Sequence, residues 1–417
     1  MKPSSLHDRG FTLLEVMIAS ALGVVVLTTG LVVGTQMQKR ALFEEQTMTA
    51  QVTGRAVKEM LTLDVSRAGT GMGNTPISFD TPVHQERSAI TVWSKPDLKT
   101  GIGTTLGADP DFEPPPAGFP ASDALQLYWG DTNGMITLAP CPTLPRVREE
   151  DVTTGVTFCT RPNPSTALVD TTTPTLAVLA SGGNKKACPV LVDSVQQGSA
   201  KLVIKAANAQ VPRSDICAGT VHWTKATGDI ENWVALRLSG AAYRVNWKGG
   251  IPTLEYRAPN QTAWSVLSRD VEQLIVREGV VNLGPPPTAS TPLNQLEWYP
   301  SDTTPPPSVV RPSISDCDVA QYNSGHCKTD NFSSTGKEDL PAPTTKEEVI
   351  QRLRQRVREL EVTLVIRTRR INRDASTTGS DEEGLAKDGY TRRRYTFRVA
   401  ARNMTVGLQR PPPPVTP

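Results

Sequence analysis

Glu15 is the side chain whose position most needs a chemical reason. It is the lone charge in the apolar stretch 11–33, which opens Phe11-Thr12-Leu13-Leu14-Glu15-Val16. An unpaired carboxylate at mid-bilayer costs about 2.5 to 3.5 kcal/mol on insertion scales, so its presence predicts a cation supplied from elsewhere. The other reactive groups are six cysteines, Cys141, Cys159, Cys188, Cys217, Cys317 and Cys327, all beyond that stretch. An even number favours disulfides in an oxidising compartment. Cys317 and Cys327 close the shortest loop, a bridge contributing about 2 to 3 kcal/mol if unstrained. The remaining four allow three pairings, of which Cys141 with Cys159 and Cys188 with Cys217 have the shortest loops. No Cys-x-x-Cys occurs, and His326 beside Cys327 lacks companion ligands at metal spacing, so neither metal nor other cofactor is expected.

Catalytic patterns are missing from the sequence. There is no Gly-x-Ser-x-Gly elbow, phosphate loop or His-Glu-x-x-His pair, and no enzymatic activity is expected. Gly182-Gly183-Asn184-Lys185-Lys186 is glycine-rich but reads as an exposed turn. Asp109-Pro110-Asp111-Phe112-Glu113 alternates acids as calcium loops do, yet it carries proline and lacks the glycine turn, so a solvated loop is expected. Arg392, Arg393 and Arg394, with Arg367, Arg369 and Arg370, either form a basic patch for DNA or decorate the outer faces of terminal strands; the second reading is favoured. The formal net charge of +2 gives no ground for a nucleic-acid partner.

The element that positions Glu15 is a helix. At about 1.5 Å per residue, the stretch 11–33 is long enough to cross a hydrocarbon core of about 30 Å. Lys2 and Arg9 precede it and no basic residue lies within it, which places the leader in the cytoplasm and the remainder in the periplasm. A secretory signal has its cleavage site beyond the apolar core. Here the polar leader, residues 1–10, comes first and ends in Gly10 before Phe11, so the apolar helix is kept.

This order resembles the class III signal of type IV pilins and type II secretion pseudopilins, with the glycine, the phenylalanine, Thr12, the Leu13-Leu14 pair and the glutamate all in register. The resemblance implies that a prepilin peptidase cuts between Gly10 and Phe11 and methylates the new amine of Phe11, making Glu15 the fifth residue of the mature chain. It also implies that a neighbouring subunit's terminal amine meets Glu15 in a filament. Such a pair recruits and registers subunits, because removing one partner leaves the other buried at a cost of about 3 to 5 kcal/mol. The plainer reading of Glu15 is a stray acid in a membrane anchor.

Beyond residue 33 the helical pattern continues to about residue 68. Met37, Ala41, Met48, Val52, Ala56, Met60 and Leu63 form an apolar face whose upper part is expected to pack on a head. Gly69, Gly71 and Gly73 then end the rod, about 85 Å long. No proline kinks the apolar segment, though Gly30 and Gly34 could loosen it. The head, 69–410, reads as strands at 89–93, 124–129, 202–205, 233–238, 243–247, 254–257, 360–367 and 395–400, with one helix at 347–356. Proline clusters at 114–116, 285–287 and 305–307 mark loop insertions, 284–345 being the longest such region, and 411–417 is a proline-rich tail.

An Asp-Arg helix end at 64–69, a strand around Asp123 and Tyr128, and the closing Arg402-Asn403 are similar to PilW-type minor pilins. The fold implied is α+β and type IV pilin-like, a long amino-terminal helix on a β-rich head. The role implied is priming of pilus assembly and a place in the tip complex, in adhesion or twitching motility. Its partners would be the prepilin peptidase, other minor pilins, the major pilin and a large tip adhesin. The alternatives are a type II secretion pseudopilin of the J kind and a DNA-binding uptake pilin. The chain is expected first in the inner membrane and then at the pilus tip on the cell surface.

Overall fold

A computed structural model describes residues 12–73, 75–79, 85–101, 108–142, 147–151, 155–169, 174–181, 187–204, 233–259, 261, 263–281, 296–301, 309–327, 342–369, 378–381, 384–385 and 387–405. It is a single long helix joined to a β-rich head. α1 runs over Leu13–Arg67, and the cap at Ala68 hands the chain to Gly69, Gly71 and Gly73, all at positive φ. Gly69 is required there on two counts, because its φ is +79° and a Cβ would lie 2.8 Å from the Gly73 carbonyl oxygen.

The docked face of α1 differs from the expected one. Ala50, Gly54, Val57, Leu61, Asp64 and Val65 are buried, a stripe at three- and four-residue spacing. Of the expected face, Met37, Met48, Val52 and Leu63 are 49–67% exposed, while Met60 at its edge is partly buried against the core. At 100° per residue the two stripes lie on nearly opposite sides of the helix. The head selected the face with the smallest residue, since Gly54 lets the helix backbone approach the Tyr395 ring, which a Cβ would meet at 2.9 Å.

The strands are β1 (Ile77–Phe79), β2 (Gln85–Arg87), β3 (Ile90–Trp93), β4 (Ala124–Thr137), β5 (Arg148–Asp151), β6 (Gly155–Cys159), β7 (Thr175–Ser181), β8 (Cys188–Gln196), β9 (Lys201–Ile204), β10 (Trp233–Asn246), β11 (Thr253–Arg257), β12 (Ser265–Arg269), β13 (Val271–Val281), β14 (Leu296–Tyr299), β15 (Val357–Arg367) and β16 (Arg392–Ala400). Two short helices, α2 (Val319–Asn323) and α3 (Lys346–Arg354), precede β15. Among the described residues these strands pair antiparallel, with one isolated parallel bridge between Ile77 of β1 and Ala187. β1 pairs with β2; a ten-stranded sheet runs β12-β11-β10-β7-β8-β9-β6-β5, with β4 and β3 branching from β10; a four-stranded sheet runs β14-β13-β15-β16. Strand β10 was expected as two strands. It is continuous through Gly240, which allows close approach to β4, where a Cβ would lie 2.4 Å from the Leu127 carbonyl oxygen.

The largest core lies between α1 and the sheets. Val57, Leu61 and Val65 meet Leu125, Leu127, Tyr243, Leu360, Val362, Phe397 and Val399 there. The disulfide Cys317–Cys327 is formed, Cα to Cα 5.8 Å, and belongs to this core beside Val349 and Leu353. Cys141–Cys159 is also formed, at 5.2 Å, and staples the end of β6 to the non-strand segment that follows β4. Cys188 is disulfide-bonded, while Cys217 lies outside the described residues. Also outside them are Gly10, Phe11, Arg370, the 182–186 run and the proline clusters 285–287, 305–307 and 411–414.

The expectations for two charged segments hold only in part. The 109–113 loop leaves Pro110, Asp111 and Glu113 exposed but is anchored: Asp109 pairs with Arg244, Phe112 is 6% exposed, and Glu113 accepts from the Gly249 amide at 2.8 Å. The arginines do not form one patch: Arg393 and Arg394 are exposed on the terminal strand β16, as the favoured reading expects, whereas Arg392 and Arg367 depart from it. Arg392 is buried, bonded to Glu272 at 2.5 Å, Asp381 at 2.7 Å and Asp388 at 2.6 Å, and Arg367 is buried against Asp270 and Glu272. Arg369 pairs with Asp270 from the surface. Buried guanidinium groups need such partners, and sequence spacing did not reveal Glu272, 120 residues from Arg392.

Candidate functional site

The amino end of α1 is built by a capping box. Thr12 is the N-cap, its hydroxyl accepting from the Glu15 amide at 3.3 Å, while Glu15 Oε2 accepts from the Thr12 amide at 2.9 Å and hydroxyl at 3.0 Å. The Thr-x-x-Glu spacing is the readable signal for this arrangement, and it adds Thr12 to the residues that orient the carboxylate. Glu15 Oε1 accepts no hydrogen bond from the described residues, so one oxygen is left for an external donor.

Around that carboxylate everything is apolar and bare. Residues 13–33 are all exposed, and the best 18-residue window of the helix has a mean hydropathy of 2.4 with none of it buried. The polar side chains within this segment satisfy themselves. Ser20, Thr28 and Thr29 each donate at 2.9 Å to a carbonyl one turn back. In a hydrocarbon medium such groups need internal partners, and here they have them. Among the described residues of the segment, Glu15 Oε1 is therefore left able to accept a hydrogen bond.

At the other end of the helix, the landmarks separated by more than three hundred residues meet. Tyr243 donates its hydroxyl to Asp64 at 2.5 Å, and the Gly69 amide donates to the Tyr128 carbonyl at 2.9 Å. The Asn403 amide donates to the Ser66 carbonyl at 2.9 Å and to the Thr70 hydroxyl at 2.9 Å, satisfying a carbonyl that the helix end leaves open. Burial raises the Asp64 pKa despite the Tyr243 hydrogen bond and Arg67 nearby. Asp123 lies at the seam between the two large sheets. Its carboxylate accepts from the Val276 amide of β13 at 2.9 Å and the Lys95 amide at 3.2 Å, and burial pushes its pKa up to about 6. Nearby Glu278 is pushed up to about 8, again by burial. These groups hold helix to head and sheet to sheet; none faces a cleft with a second reactive side chain.

Among the described residues no cluster of His, Cys, Asp or Glu could hold a metal ion. Residues 6–31 match the family described as the prokaryotic N-terminal methylation motif. No curated protein and no solved structure matches the chain. The amino terminus is accordingly a prepilin-type class III signal, and with its long apolar helix and β-rich head the chain is type IV pilin-like.

Proposed function

We propose that the chain is a minor pilin of a type IV pilus that helps prime assembly and joins the tip complex, with no catalytic activity of its own. The observation that carries the reading is the methylation-motif segment continuing into a bare apolar helix with Glu15 at its amino end. On this reading the mature chain starts at Phe11, and Glu15 uses its free oxygen to meet the terminal amine of a neighbouring subunit. The exposed stripe Met37, Met48, Val52 and Leu63 extends the apolar surface past the membrane, on the side turned away from the head's docking face. Of the arginines behind the DNA-uptake alternative, Arg367 and Arg392 are spent on internal carboxylates and Arg369, Arg393 and Arg394 are exposed, a smaller patch than the sequence offers.

The test is purification of the chain from membranes with its bound proteins, by wild type, Glu15→Asp and Glu15→Ala. The wild type should retain other pilins of a pilus system, Glu15→Asp fewer, and Glu15→Ala least, at equal protein levels and with normal cleavage. Recovery of secretion pseudopilins would move the chain to the alternative of the J kind. Unchanged association in Glu15→Ala would remove the carboxylate from the mechanism.

A further inference from the structure

Two pairs of charges on α1 are left open by the chain itself. Arg40, Glu44, Arg55 and Glu59 are exposed, and none of them forms an ion pair or a side-chain hydrogen bond with a described residue. Lys58, by contrast, is turned to the head, 5.7 Å from the centroid of the Phe397 ring. Each of the two arginines stands four residues before a glutamate. That order is the weaker one for a pair within a single helix, because it sets the cation toward the positive end of the helix dipole. At about 100° per residue, the four charges fall with Glu15, Met37 and Met48 in a sector of about 100°, outside the stripe docked on the head.

The pairing proposed for Glu15 has the same spacing, since it joins the amine of Phe11 to a carboxylate four residues further along. Sliding one rod past a parallel copy by four residues, about 6 Å, brings three pairs into register at once: Phe11 with Glu15, Arg40 with Glu44 and Arg55 with Glu59. No like charges between residues 15 and 67 come level at that offset. With no offset every charge meets its own kind. At five residues Arg40 reaches Glu45, but Arg55 is opposite Met60 and Glu59 comes level with Asp64.

A rod whose cations and carboxylates share one spacing is complementary to itself. We propose that a second copy of this chain lies parallel along α1, advanced by four residues, with Arg40 and Arg55 of one copy bonded to Glu44 and Glu59 of the other. The proposal rests on the reading of Glu15 given above and adds to it the partner, the offset and two ion pairs beyond the membrane. Met37 and Met48, exposed on the same side, lose water in the contact and supply attraction. Exposed ion pairs contribute little singly; what these specify is the offset, through the like charges that other offsets bring together.

Two differently tagged copies of the full chain are expressed together, and capture of one by the other from detergent-solubilised membranes is measured at equal protein levels. Wild-type copies should capture each other. Arg55→Glu in both copies, or Glu59→Arg in both, sets like charges together and should reduce capture about fivefold. A copy with Arg55→Glu and a copy with Glu59→Arg should capture each other as the wild type does, because each contact between them is then opposite in sign. The control for net charge pairs Arg55→Glu with Glu45→Arg, which puts the new cation about 20 Å down the rod from position 59 and should not restore capture. All three positions are exposed, so the docking of the head is untouched. Failure of the complementary copies to restore capture, equal restoration by Glu45→Arg, unchanged capture in Arg55→Glu, or no capture between wild-type copies would overturn the proposal. The reading of Glu15 is decided separately, by whether Glu15→Ala loses other pilins.

Discussion

The contact that fixes the head to its helix makes a prediction whose sign depends on a second residue. Gly54 lies inside α1, where alanine is favoured over glycine by about 1 kcal/mol. A Cβ there would sit 2.9 Å from Cε2, 3.0 Å from Cζ and 3.1 Å from Cδ2 of Tyr395. The ring must move, and overpacking of this kind costs about 1 to 3 kcal/mol. Gly54→Ala should therefore be neutral to about 2 kcal/mol destabilising in the wild-type background. In Tyr395→Ala the ring is gone and only the helix preference remains, so the same change should stabilise by about 1 kcal/mol. The coupling between the sites is then about 1 to 3 kcal/mol. Thermal unfolding of the four chains in detergent, followed by near-ultraviolet circular dichroism from the head, measures it. An equal rise in midpoint on adding Gly54→Ala in both backgrounds would refute close packing of helix on ring as the reason for the glycine.

Replacing Gly10 by a bulky residue should leave an uncut precursor, seen by amino-terminal mass analysis as a chain starting at Met1 in place of one starting at methylated Phe11. Cys317→Ser with Cys327→Ser should cost about 2 to 4 kcal/mol, because the bridge lies in the main core, and non-reducing peptide maps of the wild type should recover the two cysteines linked. Asp123 should make the head more stable in mild acid. Its folded pKa is about 6 against an ordinary 3.8, so the group's contribution is fullest below about pH 4 and is lost as pH rises through 6, a change of about 3 kcal/mol. Asp123→Asn should flatten that part of the stability curve, and an unchanged slope between pH 4 and 7 would rule the carboxylate out as its source.

What was legible in the sequence was what depends on local order. The apolar stretch, the glycine-phenylalanine junction, the register of Glu15 and the glycines after residue 67 are patterns over a few neighbouring positions, and the helix runs where they put it. The shortest cysteine loop was readable for the same reason. Long-range choices were not. β13 alternates buried Leu274 and Val276 with less buried neighbours, yet it was passed over because no turn signal bounds it from β12. Apolar spacing alone points to the stripe of Met37, Met48, Val52 and Leu63, whereas close approach to a sheet favours Gly54 and Ala50 over methionine. Arg392 looked like surface because its carboxylate partners come from two other segments, β13 and the 381–388 turn.

The two faces of α1 divide the molecule's requirements in a way that bears on assembly. The last third of the helix spends one face on the head, through Gly54, Val57, Leu61 and Val65. The first third has no face buried, and on the opposite side Met48, Val52 and Leu63 stay exposed, interspersed with Glu45, Arg55 and Glu59. Apolar surface of this extent is favourable only when water is removed from it, at about 25 cal/mol per Å². For residues 13–33 a bilayer meets that demand; for Met48, Val52 and Leu63, which lie beyond bilayer reach on the same rod, it does not. On the proposed reading a neighbouring helix covers both regions at once, and the Glu15 carboxylate fixes how far one rod may slide along the next. Hydrophobic burial then supplies the driving force and the single charge supplies the register, because apolar contacts alone tolerate a shift of one turn whereas an unpaired carboxylate in hydrocarbon does not.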